Sequence, residues 1–393
     1  MALSKIDVAN MLTGATPVAN GGTALTSGFT NGSDPRPLSK PIIINGDMQV
    51  SQRTTSETGI TDNRYSACDR FKIEIDSCGT WTVIQETLTS GAAYNAGFRK
   101  ALRLDCTTAD ASPASADAVI VSHRMEGQNL NVFKKGTSSA EKYTLAFWIK
   151  SNKTGTAQVN FTDEENTRMC SGQYTISSAD TWEKKIINIA ADTSGASAND
   201  NTESIRISWF FDAGSNFTSG AVPTAWESTS AGDKSVSDLA IADNTNNDVA
   251  ITGVQLEVGE FSSTTMPPFQ FETHEENLQR CLRYYYRANG RCGFGAGTGF
   301  VQDGDVKAYI YHTMPVAPRT EFSFSLSGTS GAIITIDGNA GDDVQSISSI
   351  HADSFPFKDY EFNFVTDGSS ITDKAGMGIR INASNFIECD AEL

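Results

Sequence analysis

The chain has 393 residues, a formal net charge of −17 and 39% hydrophobic residues. At roughly 100–200 residues per domain, this length predicts two or three domains. The acidic balance argues against a nucleic-acid partner, because phosphates would be repelled and no basic stripe offsets the charge. Because no run of about 18 apolar residues occurs, we also expect no membrane insertion.

Residues 1–40 differ in composition from the rest of the chain. They are rich in Gly, Pro, Thr, Asn and Ala and hold almost no large apolar side chain, so they cannot bury enough surface to offset the entropy cost of ordering. Two interpretations are open: a flexible tail, or an extended arm that orders on a partner. The first residues also lack the continuous apolar stretch of a signal peptide, which favours a protein that is made in a cytoplasm and released by lysis.

Residues 41–270 show short apolar runs separated by polar turns, a pattern typical of a β-sandwich. In YTLAFWIKS, the two-residue period of a strand places Tyr143, Leu145 and Phe147 on one face and Trp148 on the other. The predicted strands are 41–48, 70–75, 80–86, 100–105, 118–126, 142–151, 156–161, 169–176, 183–190, 204–211 and 249–258.

A helix is predicted at 271–287, directly after the last of these strands. Thr273 and Glu276 have the spacing of a capping box, in which hydroxyl and carboxylate bind the first free amides of a helix. Apolar residues then recur at spacings of three and four and form one stripe: Leu278, Cys281, Leu282 and Tyr285. We predict that this helix links the first body to a smaller β-sandwich at 288–393, with strands at 299–302, 307–313, 322–326, 333–336, 359–365, 377–382 and 386–391.

The seven cysteines include no C-x-x-C pair, and only four histidines accompany them, which argues against a zinc site. Their odd number and irregular spacing predict free, mostly buried thiols and assembly in a reducing compartment. A disulfide between Cys281 and Cys292 is the less favoured alternative. We expect no cofactor and no metal ion.

Six segments in this order resemble tail-fibre and related appendage proteins of bacteriophages: NGDMQVSQR at 45–53, YSACDRF at 65–71, YTLAFWIKSNKTGT at 143–156, SADTWEKKIINIAAD at 178–192, NNDVAITGVQLEVGEF at 246–261 and ENLQRCLRYY at 276–285. The arm also resembles the anchoring segments of phage fibres, through these residues: Thr16, Pro17, Val18, Asn20, Gly21 and Gly22. The resemblance implies a virion protein whose residues 1–40 attach it to other virion proteins.

The central body is also similar to jelly-roll carbohydrate-binding modules, which open with a turn like the one at 45–49. Many of these modules hold a structural calcium between that turn and the closing strand. Here Gln49 stands at the acidic ligand position and the closing strand lacks its carboxylates, so Asp47 alone is too few ligands for an ion that takes six to eight oxygens. The alternative is that Asn45, Gly46 and Asp47 form an ordinary turn.

No catalytic motif is present in the sequence. The four histidines lie in no recognisable triad and no G-x-S-x-G elbow occurs, so we predict that the protein is not an enzyme. A glycosidase needs only two facing carboxylates, which a sequence does not reveal. A depolymerase that degrades surface polysaccharide therefore stays as the alternative.

Tryptophans are the candidate ligand-binding residues, because sugars stack on aromatic rings. Trp148 faces away from the predicted core and is expected to line a concave sheet face or to lie under the insertion at 213–247. Trp226 lies within that polar insertion and is expected to be the most exposed tryptophan. For both residues, packing in a core or an interface is the alternative, whereas Trp209 is in phase with the core-facing residues of its strand.

Aromatic residues surround more than half of the predicted helix, which is more than one packing face requires. One interpretation is that the helix seals the jelly roll. The other is a homotrimer that meets along this helix through an interface of Leu278, Leu282, Tyr284, Tyr285 and Tyr286.

Together these observations predict an all-β virion fibre protein of four parts: an extended arm at 1–40, a jelly-roll domain at 41–270, a linking helix at 271–287 and a β-sandwich at 288–393. The expected role is attachment to the virion and recognition of a glycan or other receptor on the host surface. A head fibre or capsid decoration protein and a secreted bacterial binding module are the alternatives to a tail fibre. The last is disfavoured by the missing export signal.

Overall fold

A computed structural model describes residues 40–289, 300–301, 307–326, 332–336, 339–351, 359–366, 377–381 and 386–393. The predicted virion-anchoring residues, Thr16 to Gly22, lie outside the described residues, as does Cys292. The other six cysteines are free and buried, as predicted. Within the described part of the chain, no helix is long and apolar enough to cross a membrane.

The described chain is built mainly of antiparallel strands. Its helices are α1 (Ala92–Asn95), α2 (Ser215–Thr218) and α3 (His274–Cys281). The strands of the first body are β1 (Ser56–Ile60), β2 (Arg64–Tyr65), β3 (Phe71–Asp76), β4 (Thr80–Thr87), β5 (Lys100–Thr108), β6 (Ala118–Glu126), β7 (Tyr143–Ser151), β8 (Gly155–Asp163), β9 (Arg168–Ile176), β10 (Glu183–Ile189), β11 (Glu203–Ala213), β12 (Glu227–Ser228) and β13 (Asp248–Val258).

These strands form two sheets that pack face to face. The front sheet has the order β1-β4-β5-β13-β7-β10, and the back sheet has the order β12-β9-β8-β11-β6-β3-β2. The chain crosses repeatedly between the sheets, so strands that are distant in sequence become neighbours, as β13 does between β5 and β7. This arrangement confirms the predicted all-β, jelly-roll sandwich.

One hydrophobic core lies between the two sheets. Phe147 of the front sheet meets Trp209 of the back sheet edge to face, with ring centroids 5.6 Å apart. Both residues are fully buried, and each such side chain contributes about 1.5–3 kcal/mol by leaving water. The prediction that Trp209 belongs to the core is confirmed.

The segment 41–48 is a turn and not the predicted strand. Asn45 has a left-handed backbone with φ 60°, and its side-chain amide donates to the carbonyls of Val50 and Asp69, both at 2.9 Å. Gly46 packs so closely on β13 that a Cβ atom there would lie 2.2 Å from the carbonyl oxygen of Val254. The apolar residues of this segment are therefore buried through a turn that the side chain of Asn45 holds in place.

Helix α3 ends at Cys281, six residues before the predicted end at 287. Its start is confirmed, because Thr273 and Glu276 make both hydrogen bonds of the capping box. Tyr285 already belongs to the next strand, β14 (Tyr285–Asn289), which pairs with β22 (Phe386–Asp390). Aromatic residues favour strands, and this pairing with a strand about a hundred residues away overrides the helical spacing.

The residues after α3 form two further antiparallel sheets. One has the order β14-β22-β17 and the other β15-β16-β20-β19-β18-β21. Their remaining strands are β15 (Phe300–Val301), β16 (Lys307–Thr313), β17 (Ser323–Leu326), β18 (Ala332–Ile336), β19 (Asn339–His351), β20 (Asp359–Thr366) and β21 (Met377–Ile381).

Candidate functional site

A group of aromatic side chains lies on the outer face of the front sheet. It is separate from the main core, and we call it the front-sheet aromatic cluster: Tyr94, Phe98, Trp148, Trp182, Phe269 and Phe271. Phe98 and Trp182 are buried, whereas Phe271 is 50% exposed. Tyr94, Trp148 and Phe269 are half-buried, so four of the six residues reach solvent on one sheet face.

Trp148 reaches this face because successive side chains of β7 alternate between the two sides of the sheet. Its neighbour Phe147 fills the core, as the sequence pattern predicted. A β-bulge in β13 places Gly253 beside Trp148, with a left-handed backbone at φ 61°. A Cβ atom at Gly253 would lie 2.6 Å from Phe98 Cζ and 2.9 Å from Trp148 Cδ1, so the two rings occupy the space that the glycine leaves.

The connection between β4 and β5 supplies the second part of the cluster. It contains α1 and places Phe98 against Phe269 and Phe271, with ring centroids 4.9 and 5.2 Å away. Phe269 and Phe271 are also in contact with each other, at 4.9 Å between centroids. The two phenylalanines follow Pro267 and Pro268, which fix the backbone just before them.

Cationic side chains flank the rings. The guanidinium of Arg99 lies 4.0 Å from the ring centroid of Tyr94, and Lys150 Nζ lies 5.4 Å from that of Trp182. Lys150 also lies 3.6 Å from a carboxylate oxygen of Glu86. The outer face of the front sheet thus combines partly exposed rings with charged donors and an acceptor, which is a combination that suits a polyhydroxylated ligand.

The expectation that Trp226 is exposed is wrong. Only 9% of the residue is exposed, and its indole N–H donates to the carbonyl of Ala190 at 2.8 Å. The ammonium of Lys135 lies 4.6 Å from its ring centroid, and Tyr143 packs beside it. The insertion that carries Trp226 is polar in sequence, yet it places this side chain in the core together with Leu239, Ile241 and Ala242.

That insertion covers the back sheet and not the front sheet. Gln158 Nε2 donates to the carbonyl of Asp233 at 2.6 Å, and Asn160 Nδ2 donates to that of Lys234 at 2.7 Å. These two polar side chains on the outer face of the back sheet are therefore satisfied by the backbone of the insertion. Trp148, on the opposite sheet, remains free of the insertion.

The predicted oligomer interface does not form one exposed surface. Tyr284 and Tyr285 are 1% and 2% exposed within the single chain. The guanidinium carbon of Arg70 lies 3.5 Å from the ring centroid of Tyr284, and that of Arg53 lies 3.5 Å from the ring centroid of Tyr285. Both lie beyond the end of α3. Leu278 packs on a small cluster that joins α3 to the opening turn, which is the contact that the sealing role of the helix predicts. Leu282 and Tyr286 are half-buried.

The opening turn at 45–49 is held by amide groups. Gln85 Nε2 donates to the carbonyls of Met48 and Gln49 at 2.7 and 3.1 Å, and Asn277 Nδ2 donates to Asp47 Oδ1 at 3.1 Å. Burial raises the pKa of Asp47 to about 6. Among the described residues no group of three His, Cys, Asp or Glu side chains is placed to hold a metal ion.

Sequence reasoning identified Trp148 but missed the other five members of the cluster. The rings come from residues 94–98, from Trp148, from Trp182 and from residues 269–271, and only the fold brings them together. A partial signal was present in PPFQFE, where two aromatic residues alternate after a proline pair and therefore point to the same side of an extended chain.

No protein-family model matches the chain, and no curated protein shows significant similarity in sequence. Among solved structures, it is similar to the enzymatically active domain of bacteriophage CBA120 tailspike protein 4, with 12% identity and a TM-score of 0.28 over 56% of this chain and 21% of that one. A putative sugar binding protein from Bacteroides thetaiotaomicron matches with 12% identity and a TM-score of 0.28, over 56% of this chain and 100% of that one. TmCBM61 in complex with beta-1,4-galactotriose matches with 10% identity and a TM-score of 0.26, over 56% of this chain and 99% of that one. Because these identities and TM-scores are low, neither a ligand nor an activity of these proteins is assigned to this chain.

Proposed function

We propose that this protein binds a glycan without cleaving it, through the exposed side of the front-sheet aromatic cluster. The observation that carries the proposal is the grouping of four partly exposed rings on one sheet face, beside Arg99 and Lys150. Aromatic rings offer a large rigid contact surface at low entropic cost, and the C–H faces of a sugar ring match it. The charged groups at the margin supply hydrogen bonds to hydroxyls.

The six segments that resemble phage appendage proteins support a location for this activity. We propose a structural fibre protein of the virion, attached through residues 1–40 and presenting the cluster to the host surface. Labelling of intact particles with gold-conjugated antibody would distinguish a tail fibre from a head fibre or capsid decoration. A variant lacking residues 1–39 is expected to fold and to be left out of virions; incorporation of that variant would overturn the attachment role.

Glycan binding is tested with the full chain on an array of bacterial surface oligosaccharides, followed by calorimetry of each hit. Phe271→Ala is expected to weaken binding about tenfold, because an aromatic contact of this kind is worth about 1–1.5 kcal/mol. Phe217→Ala is the matched control, because Phe217 packs on Phe210 of the back sheet, away from the cluster. Equal affinity of the two variants would remove the cluster from the proposal.

The same oligosaccharides separate binding from cleavage. A non-catalytic protein releases no new reducing ends during prolonged incubation. Release of reducing ends would replace this proposal with a depolymerase.

We also propose that the protein forms a homotrimer. The support for it is the resemblance to phage fibres, because Tyr284 and Tyr285 are buried within the single chain. Light scattering coupled to size-exclusion chromatography is expected to give three times the chain mass. A stable monomer would contradict it.

A further inference from the structure

A groove lies where the arm joins the sandwich, between the opening turn and α3. We propose that this groove is a second saccharide site, selective for a glycan that carries a carboxylate or a phosphate. It encloses about 500 Å³ and is lined in part by Lys40, Arg280, Arg283 and Tyr284. That volume falls within the range of about 300–1,000 Å³ that is usual for ligand sites.

The charge of the groove opposes that of the chain. Acidic residues outnumber basic ones by 17 in the whole sequence, yet three basic residues and no acidic residue line this groove. Its other polar lining groups are the side-chain amides of Asn129 and Gln279, which both donate and accept hydrogen bonds. Arg280 and Arg283 are paired with Glu272 and Glu126, so the net attraction of the groove for an anion rests mainly on Lys40.

Two of the cations are held in place by hydrogen bonds. Arg283 binds the buried carboxylate of Glu126 through Nε and Nη2, at 2.9 and 2.8 Å. This bidentate pair fixes the plane of the guanidinium at the wall of the groove. Arg280 donates to Glu272 Oε2 at 2.5 Å and to the carbonyl of Pro41 at 2.7 Å. Groups that are already ordered lose little entropy when a ligand binds.

The third cation, Lys40, is exposed. Among the described residues it makes no ion pair, and Glu272 and Glu276 line a neighbouring pocket with it and offset part of its charge. It lies at the rim of the groove, where binding of an anion costs the least desolvation. Lys40 is therefore the position at which charge can be removed with the least effect on the fold.

The groove also has an apolar wall. Val132 lines it and is 43% exposed, and among the residues whose exposure is described only Phe271 is a more exposed large apolar side chain. Ile42, Val316 and the ring of Tyr284 continue this wall. An apolar surface facing fixed cations matches a sugar ring with an acidic substituent better than it matches a bare anion.

The groove and the front-sheet aromatic cluster share no residue, but Lys40 also lines a neighbouring pocket with Phe271, so Val132→Asp is the variant that separates the two sites. Binding of an oligogalacturonide, a sugar phosphate, inorganic phosphate and a neutral oligosaccharide of equal length is measured by calorimetry on the full chain. We expect the acidic saccharides to bind and to lose affinity as NaCl concentration rises. Inorganic phosphate is expected to bind at least tenfold more weakly, and the neutral oligosaccharide is expected to be unaffected by substitutions in the groove.

Lys40→Gln is expected to weaken binding of the acidic saccharides at least fivefold, and Val132→Asp is expected to abolish it. Lys142→Gln is the matched control, because Lys142 is an exposed lysine paired with Glu260, outside the groove. Unchanged affinity in both groove variants would overturn the proposal, as would phosphate binding as tightly as the saccharides. If acidic saccharides bind only after residues 1–39 are removed, the arm is the occupant and the proposal is wrong.

Discussion

The carboxylate of Glu392 accepts a hydrogen bond from the buried guanidinium of Arg70, at the inner end of the opening turn. The side chains are 5% and 1% exposed, and Arg70 also donates to the carbonyl of Arg124 and stacks on Tyr284. The carbonyl of Leu393 accepts from Arg124 at 3.1 Å. The last residues of the chain are thus joined to the sandwich through a charged pair that is removed from water.

Glu392→Ala is expected to lower the free energy of unfolding by about 3–5 kcal/mol, because it leaves the Arg70 charge buried without its partner. Urea denaturation followed by tryptophan fluorescence measures the loss. Glu260→Ala removes an exposed carboxylate that pairs with Lys142, and its expected cost is below about 1 kcal/mol. Equal losses in the two variants would show that the Arg70–Glu392 pair adds nothing beyond a surface pair.

Gly253→Ala is expected to destabilise the fold and to weaken glycan binding. The substitution places a methyl group 2.6 Å from Phe98 in a backbone conformation that disfavours side chains, at a combined cost of about 2–4 kcal/mol. Gly59→Ala is the control, since Gly59 has φ 76° but open space around its Cβ position. Thermal unfolding of both variants separates backbone strain from the clash; similar melting temperatures would mean that the rings move aside freely.

Lys135→Met is expected to cost about 3–5 kcal/mol in unfolding free energy. Its ammonium binds Asp163 at 2.7 Å and Asp192 at 3.0 Å, and all three side chains are at most 1% exposed. The variant leaves two buried carboxylates close together. The adjacent Lys134→Met breaks only an exposed pair with Glu141, so its cost is expected to stay within about 1 kcal/mol. A small loss for Lys135→Met would mean that water or Arg168 replaces the ammonium.

Asp47→Asn is expected to stabilise the protein at pH 8 and to have little effect at pH 4. Burial raises the pKa of Asp47 from 3.8 to about 6, so the folded state binds its proton more tightly than the unfolded state does. This group therefore favours folding at low pH, and that contribution is lost as the pH rises from about 4 to about 6.

Removing the charge of Asp47 is expected to raise the free energy of unfolding by up to about 3 kcal/mol at pH 8. Any hydrogen bond that the amide makes less well than the carboxylate reduces this gain. Melting temperatures at the two pH values measure the difference. Asp180→Asn, in an exposed turn, is the control. If the gain for Asp47→Asn were the same at pH 4 and pH 8, the charge would not be its cause.

Much of the sandwich could be predicted from sequence. The predicted strand 118–126 coincides with β6, because it is rich in β-branched residues and its second half alternates between core-facing and polar side chains. The capping box of Thr273 was equally visible, since it is a local interaction between residues three apart. Such patterns indicate the local backbone geometry and which side chains face the core or the solvent.

Interactions between distant residues were not visible. Tyr285 fits a helical stripe in sequence, and only its pairing with Asp390 makes it a strand residue. Trp226 lies among polar residues and is nevertheless buried, because Lys135 and the carbonyl of Ala190 satisfy its ring and its N–H. The same holds for the candidate site, in which Phe271 meets Phe98 across more than 170 residues.

The way in which the chain enters the sandwich determines how it bears mechanical load. A tension applied at Lys40 acts first on the hydrogen bond between Arg280 and the carbonyl of Pro41, and then on the contacts of Asn45 with Val50 and Asp69. These bonds tie the opening segment to α3 and to Asp69 as well as within its own turn, so a pull at Lys40 meets them in succession. A pull on the chain at Lys40 would therefore act on the buried interior of the sandwich and not on an exposed strand edge.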